Sequence, residues 1–478
     1  MKKILMIVIV ASLAIFTSCK KDEEQKAAPK VTAPSAQNVL AGASVDLSFT
    51  YTAEAGFKTA VATATNGTTT IKTNGTAGAT SGTIVVSFTA GTTTGAASVQ
   101  LAVSDNDGQQ DDATAVLNVE EEQLVFNIDG NITANTTWET GKTYILKSRI
   151  AVVSGVTLTI QPGVIVKGEA GTGANATALL IARGAKLMAE GTAQSPIIFT
   201  SVADEIIAGQ IVSPNLDPTI NGLWGGLLIL GKAPISADAE AVQIEGIPAS
   251  DQNGLYGGTD AADNSGVIKY ISIRHGGANI GEGNEINGLT LGGVGSGTVI
   301  ENIEVVSNQD DGIEWFGGSV SVNNAVVWNV GDDAIDTDQS WSGTLDNFIV
   351  VNPGDECFEL DGPEGTMVAK HIIKNGTVYA LNADGLVDND ANSFVDMMNV
   401  YFRDIKAGQD FDQIPTEYVC SFSNLQASIP DGAALTDFFK GGSDAFTTVV
   451  ATGANTVGAD ITKFQSWSWA HQVLTATK

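Results

Sequence analysis

The feature that most constrains the fold of this chain is an acidic pentapeptide that recurs in its second half. Three copies begin at residues 310, 332 and 355, and a weaker copy begins at residue 383. They read DDGIE, DDAID, DECFE and ADGLV, and an apolar run precedes each of them. A repeat of about 22 residues with two or three short strands is the length of one coil of a parallel β-helix.

Stacked coils would align the repeats side by side. Equivalent residues of neighbouring coils then lie about 4.8 Å apart. We therefore expect an inward apolar stack of Ile313, Ile335, Phe358 and Leu386. We expect a second stack along the preceding runs, which begin at residues 303, 325, 348 and 376. A β-propeller is the rival architecture, but its blades need about 40–50 residues each.

Composition supports an all-β chain. Glycine accounts for 53 residues, hydrophobic residues for 43% and charged residues for only 16%. Such a chain has enough apolar mass for a core and too few charges for a long charged helix. High glycine content together with many Val, Ile, Thr and Asn residues indicates short strands joined by tight turns.

The net charge excludes some classes of partner. The chain carries 54 acidic and 24 basic residues, a formal charge of -30. Nucleic acids and anionic lipid surfaces both require a basic face. The charge instead favours cations, above all Ca²⁺, or neutral partners such as glycans.

The N-terminus has the pattern of an export signal. Lys2 and Lys3 precede an apolar run over residues 4–16, which is too short to span a bilayer. The small residues before Cys19 resemble the lipobox of bacterial lipoproteins, and residues 20–24 resemble the surface-export signal of Bacteroidota. The resemblance implies a signal peptide over residues 1–18, lipidation of Cys19 and anchoring at the outer face of the outer membrane. The alternative is an ordinary cleaved signal with a chance cysteine.

The sequence pattern divides the rest of the chain into four segments. Residues 19–36 are polar and Pro-containing, typical of a tether. Residues 37–122 show short alternating runs with turn signals, which predict a β-sandwich resembling immunoglobulin-like and PKD modules. We assign residues 123–420 to a right-handed parallel β-helix. Because an open solenoid end exposes core and strand edges, residues 421–478 are predicted to cap it.

Several segments of the second half resemble a known family. Residues 158–168, 180–191, 196–201, 287–294 and 311–318 look like bacterial surface β-helix proteins with the pectin-lyase-like fold, common in Bacteroidota. The resemblance covers roughly residues 124–420. It implies fold and cellular location, but it transfers no catalytic residue.

An acidic ladder follows from the repeat. If the Ile and Phe of each copy face inward, the next residue faces outward. Residues 301–361 contain no Lys or Arg that could neutralise the resulting column of like charges. Carboxylates on adjacent coils suit Ca²⁺, which takes six to eight oxygen ligands. The candidate ligands are Asp310, Glu314, Asp332, Asp336, Asp338, Asp355, Glu359 and Asp361. Solvated acids in corner positions are the alternative.

A catalytic interpretation is weaker. The segments around Asp311, Asp332 and Asp333 faintly resemble the paired-Asp coils of polygalacturonases, where carboxylates act as acid and base. The Gly-His-Gly and Arg-Ile-Lys segments that complete such sites have no counterpart here. A lyase would combine Ca²⁺ with a basic residue, for which Lys370 is the candidate.

Isolated residues add little. Trp341 is the tryptophan most expected to be exposed and to stack on a sugar ring. His275 is interpreted as a corner histidine bonded to backbone. Cys357 and Cys420 are read as two separate thiols, with a disulfide as the alternative that sequence cannot test.

The sequence thus predicts a surface lipoprotein whose β-helix binds a glycan, another extracellular polymer or an envelope protein, such as a TonB-dependent uptake complex. The competing class is a Ca²⁺-dependent polysaccharide lyase or a pectinase-like hydrolase. A structural envelope protein is the third.

Overall fold

A computed structural model describes residues 25–279 and 286–476 of the chain. Cys19 and the predicted signal peptide lie outside the described residues. The chain divides into two compact units, with the boundary between Gln123 and Leu124. No helix in the described ranges is long and apolar enough to cross a membrane.

The first unit is a β-sandwich of two four-stranded sheets. One sheet has the order Lys30–Thr32, Ser44–Thr52, Ser81–Ala90 and Gly67–Thr73, and the other Gln37–Leu40, Gln110–Glu120, Gly95–Asp105 and Phe57–Thr65. Neighbours are antiparallel except Gln37–Leu40, which runs parallel to its partner. Side chains of both sheets, among them Phe49, Phe88 and Leu101, share one apolar core. The predicted sandwich is confirmed, but it begins at Lys30, inside the residues predicted to form a tether, because Lys30–Thr32 pairs with Ser44–Thr52.

The second unit is a parallel β-helix built from two long sheets. The larger sheet contains Val125–Ile128, Thr136–Trp138, Thr143–Leu146, Thr157–Ile160, Ile165–Gly168, Lys186–Glu190, Ile197–Ser201, Gly266–Arg274, Val299–Val306, Val322–Trp328, Thr344–Val351, His371–Tyr379, Val395–Arg403, Ser421–Ser423, Leu425–Ala427 and Thr447–Val449. The smaller, called the short sheet, contains Arg149–Val152, Ala178–Ile181, Leu227–Leu230, Leu289–Gly292, Ile313–Phe316, Ile335–Asp338, Glu359–Leu360 and Asp388–Asn389. The predicted fold class is confirmed.

The strand register confirms the first three copies of the acidic repeat. The apolar runs before them, and the fourth run, are also aligned. Ile303, Ala325, Phe348 and Gly376 are successive partners in the larger sheet. Gly376 leaves room for its neighbour, because a Cβ there would lie 1.9 Å from the Phe348 ring. Large and small side chains therefore alternate within one inward stack.

The fourth copy is shifted by one residue from the prediction. Glu359 pairs with Asp388 rather than with Val387. Val387, not Leu386, therefore occupies the position equivalent to Phe358. The corner before this strand contains one residue more than the preceding corners, because Val351 pairs with Tyr379 in the larger sheet. The additional residue displaces the register without opening the core, since Leu386 and Val387 are both buried.

Stacked asparagines line one corner of the coils. Asn302, Asn324, Asn347, Asn375 and Asn399 all have φ between 59° and 61°. The Nδ2 of Asn347 donates to Oδ1 of Asn324 at 2.7 Å, and Asn399 donates to Asn375 at 3.0 Å. Asparagine tolerates this left-handed backbone, and its side chain bonds to the next coil, so one residue type meets both needs.

An insert leaves the coil after Leu230 and returns at Gly266. It contains the antiparallel pair Val242–Gln243 and Leu255–Tyr256 and the 3₁₀ turn Gln252–Gly254. Its side chains Ile235, Ile244 and Tyr256 pack on the outer face of the short sheet. The insert thus covers the apolar half of that face.

The tail differs in part from the predicted cap. Strands Leu425–Ala427 and Thr447–Val449 extend the larger sheet past residue 420, and Phe438 and Phe439 join the core. The remaining helices are short 3₁₀ turns and one α-helix: Gly173–Asn175, Leu435–Asp437, Ser443–Phe446, Ile461–Phe464 and Trp469–Ala476. Trp467 and Trp469 pack on Val326 and Trp328, on the outside of the larger sheet. The last segment therefore straps the side of the β-helix rather than its end.

Candidate functional site

The acidic ladder lies on the outer face of the short sheet. Along one column of this face the register joins Thr290 to Glu314, Glu314 to Asp336, Asp336 to Glu359 and Glu359 to Asp388. The opposite parity, represented by Ile313 and Ile335, enters the core. The strands thus carry their acids on the face opposite the core, as the alternation predicts.

A second acidic column runs beside the first. Phe316 pairs with Asp338, and the amide of Asp361 on the next coil donates to Thr337 O at 2.9 Å. Phe316 packs with the insert, and from Asp338 onward the column is acidic. The outer face of the short sheet therefore changes from apolar under the insert to acidic beyond it, and we call its second part the acidic face.

Two carboxylates fasten the corner before these strands. Asp311 Oδ1 accepts a hydrogen bond from the Asp333 amide at 3.0 Å, and Asp333 Oδ1 accepts one from the Glu356 amide at 2.6 Å. Burial, followed by the Glu359 carboxyl, raises the pKa of Asp333 to about 10. Asp333, a candidate catalytic residue, is thus held in a coil-to-coil bond.

Three buried acids converge at the centre of the acidic face. Oxygens of Asp311, Glu314 and Asp336 all lie within 4.8 Å of one another, and the three residues are 7%, 4% and 7% exposed. A second group with the same spacing joins Asp311 to Asp310 and Asp332. Of the eight candidate calcium ligands, these two groups bring together Asp310, Glu314, Asp332 and Asp336, with Asp311 between them.

The carboxylates of this cluster have no basic partner. Among residues 25–279 and 286–476, no ion pair joins Asp311, Glu314 or Asp336 to a Lys or Arg. Burial first, and neighbouring carboxylates second, raise the pKa of each of these three groups well above its ordinary value. The protonated form of these three acids is therefore favoured in the absence of a cation, and a shared cation would replace those protons.

A neutral amide adjoins the cluster. Asn287 donates its Nδ2 to Glu314, while its Oδ1 is buried without a hydrogen-bond partner. Asp336 Oδ1 is also buried and unpartnered. Carboxylate and amide oxygens are the ligands that Ca²⁺ prefers, so this donor set fits the ion. Because Leu289 pairs with Ile313, Asn287 takes the position of Asp311 one coil earlier. In the sequence its neutral amide breaks the acidic pattern that marks the repeat.

The acidic face becomes more exposed along its length. Burial, and then Asp361, raises the pKa of Asp338 to about 8, and burial, and then Asp390, raises that of Asp361 to about 7. Glu359 is half-buried and Asp388 is exposed. Asp355 lies exposed at the corner, outside the two close groups. The face thus runs from a buried centre to an open, solvated end.

Lys370 does not join the acids. Its Nζ donates to Asp396 Oδ1 and to Val419 O, both at 2.8 Å, and lies 4.7 Å from the Phe394 ring centroid. These partners belong to the larger sheet and its neighbouring loops. These contacts do not place Lys370 at the acidic coils, where a lyase base would be needed.

The expectation that Trp341 is exposed is wrong. Its side chain is fully buried and stacks between Trp315 and His371, with ring centroids 4.5 and 5.1 Å away. Its Nε1 donates to Val320 O at 2.8 Å. Gln339 and Ser340, with φ of 53° and 57°, turn the chain inward just before it. Trp341 is a core residue and offers no stacking surface to a sugar.

The remaining isolated residues have structural roles. His275 has φ of 58° and its Nδ1 contacts Ile220 O at 2.5 Å, which confirms a corner histidine bonded to backbone. Cys357 is buried and Cys420 is half-buried, and both are free thiols.

Comparison with protein families agrees with this architecture. A model described as a pectate-lyase-like beta helix domain matches residues 130–468. No curated protein matches the chain. Two solved structures are similar at 13% identity. The family 28 exopolygalacturonase of Yersinia enterocolitica covers 77% of each chain with a TM-score of 0.22. The catalytic unit of a GH87 alpha-1,3-glucanase from Streptomyces thermodiastaticus strain HF3-3 covers 81% of this chain and 76% of its own, with a TM-score of 0.29.

Proposed function

This chain belongs to the family of pectate-lyase-like β-helix domains. We propose that it binds carbohydrate and that its acidic face holds the glycan through bound Ca²⁺. The observation that carries the proposal is the buried group of Asp311, Glu314 and Asp336, whose oxygens converge without a basic partner.

A cation explains how an acidic surface receives a glycan. Sugar hydroxyls and carboxylates can complete the coordination of Ca²⁺, which takes more oxygens than three side chains supply. The Asn287 amide oxygen supports the same assignment, since it is buried beside Glu314 without a partner. Without a cation, the exposed end of this face, which carries Asp388, would repel acidic glycans.

A glycan array probed with the full chain tests this proposal. We expect binding in 1 mM Ca²⁺ that is lost with a chelator and reduced at least tenfold by Asp336→Asn. Asp384→Asn is the matched control, because Asp384 is an exposed corner acid outside the close groups. Binding that ignores both the chelator and Asp336→Asn would contradict the proposal.

We further propose that the protein is a lipoprotein displayed on the outer membrane, with Cys19 as the lipidated residue. The lipobox-like residues before Cys19 support this assignment. An envelope protein such as a TonB-dependent uptake complex would then be the partner that receives the glycan from this protein. Metabolic labelling with a fatty acid, lost on Cys19→Ala, tests the anchor.

A glycoside hydrolase is the second candidate. Asp338 favours it, because a partly buried carboxyl with its pKa raised to about 8 stays protonated at neutral pH, as a general acid must. The test measures the release of reducing ends from a glycan that the array identifies. Release that is abolished by Asp338→Asn would show hydrolysis and not binding alone.

A further inference from the structure

The insert borders an open cavity of about 450 Å³ that is lined by both polar and apolar groups and contains none of the residues of the acidic face. Its floor is formed by the corners that follow three short-sheet strands, Arg149–Val152, Ala178–Ile181 and Leu227–Leu230. These strands are parallel neighbours in register. The corners therefore stack side by side and present Ser154, Arg183 and Lys232 to one space.

The cavity is bounded by fixed groups. Arg183 Nη1 donates to Gly257 O at 2.8 Å, which ties the insert to the coil. Arg149 and Asp251 form a second tie, at 3.3 Å and largely shielded from solvent. Tyr256, the residue before Gly257, is buried and donates to Gln339 at 2.9 Å. A ligand would thus enter a preformed space rather than order a loose loop.

Two basic side chains, Arg183 and Lys232, line this cavity in a strongly acidic chain. A Cβ placed on Gly184 would lie 2.8 Å from both Lys232 Nζ and Ser154 Oγ, so these groups meet over Gly184. Within the described ranges neither Arg183 nor Lys232 takes part in an ion pair. Arg183 uses one of its five N–H groups on Gly257, and the others remain for a ligand.

The remaining lining is suited to hydroxyls. Gln252, Asn253 and Thr259 supply amide and hydroxyl groups, and Glu240 and Asp260 supply acceptors on the exposed side. A volume of about 450 Å³ lies at the small end of the range for ligand sites. The lining thus combines two basic side chains with amide, hydroxyl and carboxylate groups, a set that suits a ligand carrying one anionic group and several hydroxyls.

We infer that this cavity binds a sugar-sized anion whose carboxylate or sulfate is held by Lys232 and Arg183. This inference does not depend on the proposed function, because the cavity and the acidic face share no residue and need no common ligand. Ser154 adds a hydroxyl donor to the same anionic group.

Calorimetric titration of the full chain tests the inference with three probes: D-glucuronate, glucose 6-sulfate and glucose. We expect at least one of the anionic sugars to bind ten times more tightly than glucose, and the tighter of the two identifies the anionic group. Lys232→Gln should weaken that binding at least tenfold, since an exposed lysine can be replaced without loss of a packing contact.

Lys186→Gln is the matched control, because Lys186 is exposed and does not line the cavity. Equal binding of glucose and both anionic sugars, or full binding by Lys232→Gln, would overturn the inference. Failure here is distinguishable from failure of the proposed function, since Lys232→Gln leaves the calcium-dependent array signal unchanged.

Discussion

At the scale of single residues, burial in the acidic face raises the pKa of carboxyl groups and so favours their neutral form. Burial, followed by neighbouring acids, raises the pKa of Asp338 to about 8 and that of Asp361 to about 7. A buried acid with a raised pKa binds more protons in the folded than in the unfolded state. Its contribution to stability is complete below about pH 4 and is lost as pH rises through the folded value.

We therefore predict that the metal-free protein loses stability between about pH 4 and pH 8. Saturating Ca²⁺ should flatten this decline, because a bound cation favours the charged carboxylates. Melting temperatures measured across this range, with and without chelator, check the prediction. A metal-free profile that rises from pH 5 to pH 8 would show that these pKa values are not raised.

The coil-to-coil bond of Asp333 gives a second prediction. Asp333→Ala should cost about 1–3 kcal/mol of unfolding free energy, because the buried Glu356 amide loses its acceptor. Asp333→Asn keeps an oxygen in place and should cost less than about 1 kcal/mol, since the acid is already neutral at pH 7. Urea unfolding measures both. Equal losses in the two variants would assign the effect to something other than this hydrogen bond.

Some residue roles could be read from the sequence, and others depend on contacts that spacing does not encode. Strand parity placed Glu314 and Asp336 on the outer face correctly. The expectation that Trp341 is exposed failed, because two left-handed residues turn its corner inward. Asn287 holds the position of Asp311 on the preceding coil, but its neutral amide breaks the acidic pattern, and only coordinates show its contact with Glu314.

At the scale of elements, the asparagine stack fixes a corner of the coils that lies within successive strands of the larger sheet. Asn347 combines φ of 61° with a bond of 2.7 Å to Asn324 and accepts the Asp460 amide at 2.6 Å. Asn347→Ala should cost about 2–3 kcal/mol, because both the hydrogen bonds and the tolerance for this backbone are lost.

Two matched variants complete that experiment. Asn347→Gly should recover part of the loss, since glycine removes the backbone strain but not the missing bonds. Asn323→Ala, one residue before the stack, should cost less than about 1 kcal/mol. If both alanine variants unfold at the same urea concentration, the stack does not stabilise the coils.

Gly376 gives a prediction about packing between coils. Gly376→Ala should destabilise the β-helix by about 1–3 kcal/mol, because its Cβ would overlap the Phe348 ring. Gly130→Ala is the control, since a Cβ there meets nothing within 4 Å. Thermal unfolding compares the two. An unchanged melting temperature for Gly376→Ala would contradict the described stack.

At the scale of the whole molecule, the repeat predicted the β-helix and the register of three coils because each coil meets the same packing problem. It could not predict what interrupts the periodicity. One additional corner residue shifted the fourth copy to Asp388. The insert after Leu230 covers half of the outer face and borders the cavity, and the Trp469 segment straps the side. These features depend on long-range contacts without a repeating signal.

The central claim is that the acidic face binds a divalent cation, and calorimetric unfolding of the full chain with increasing Ca²⁺ tests it most directly. At a hundredfold excess over Kd, binding adds about 2.7 kcal/mol, which raises the melting temperature of a unit this large by about 3–5 °C. The account predicts this rise for the β-helix transition, and its absence when Asp311→Asn, Glu314→Gln and Asp336→Asn are combined. No rise in the natural chain, or an equal rise in the triple variant, would contradict it.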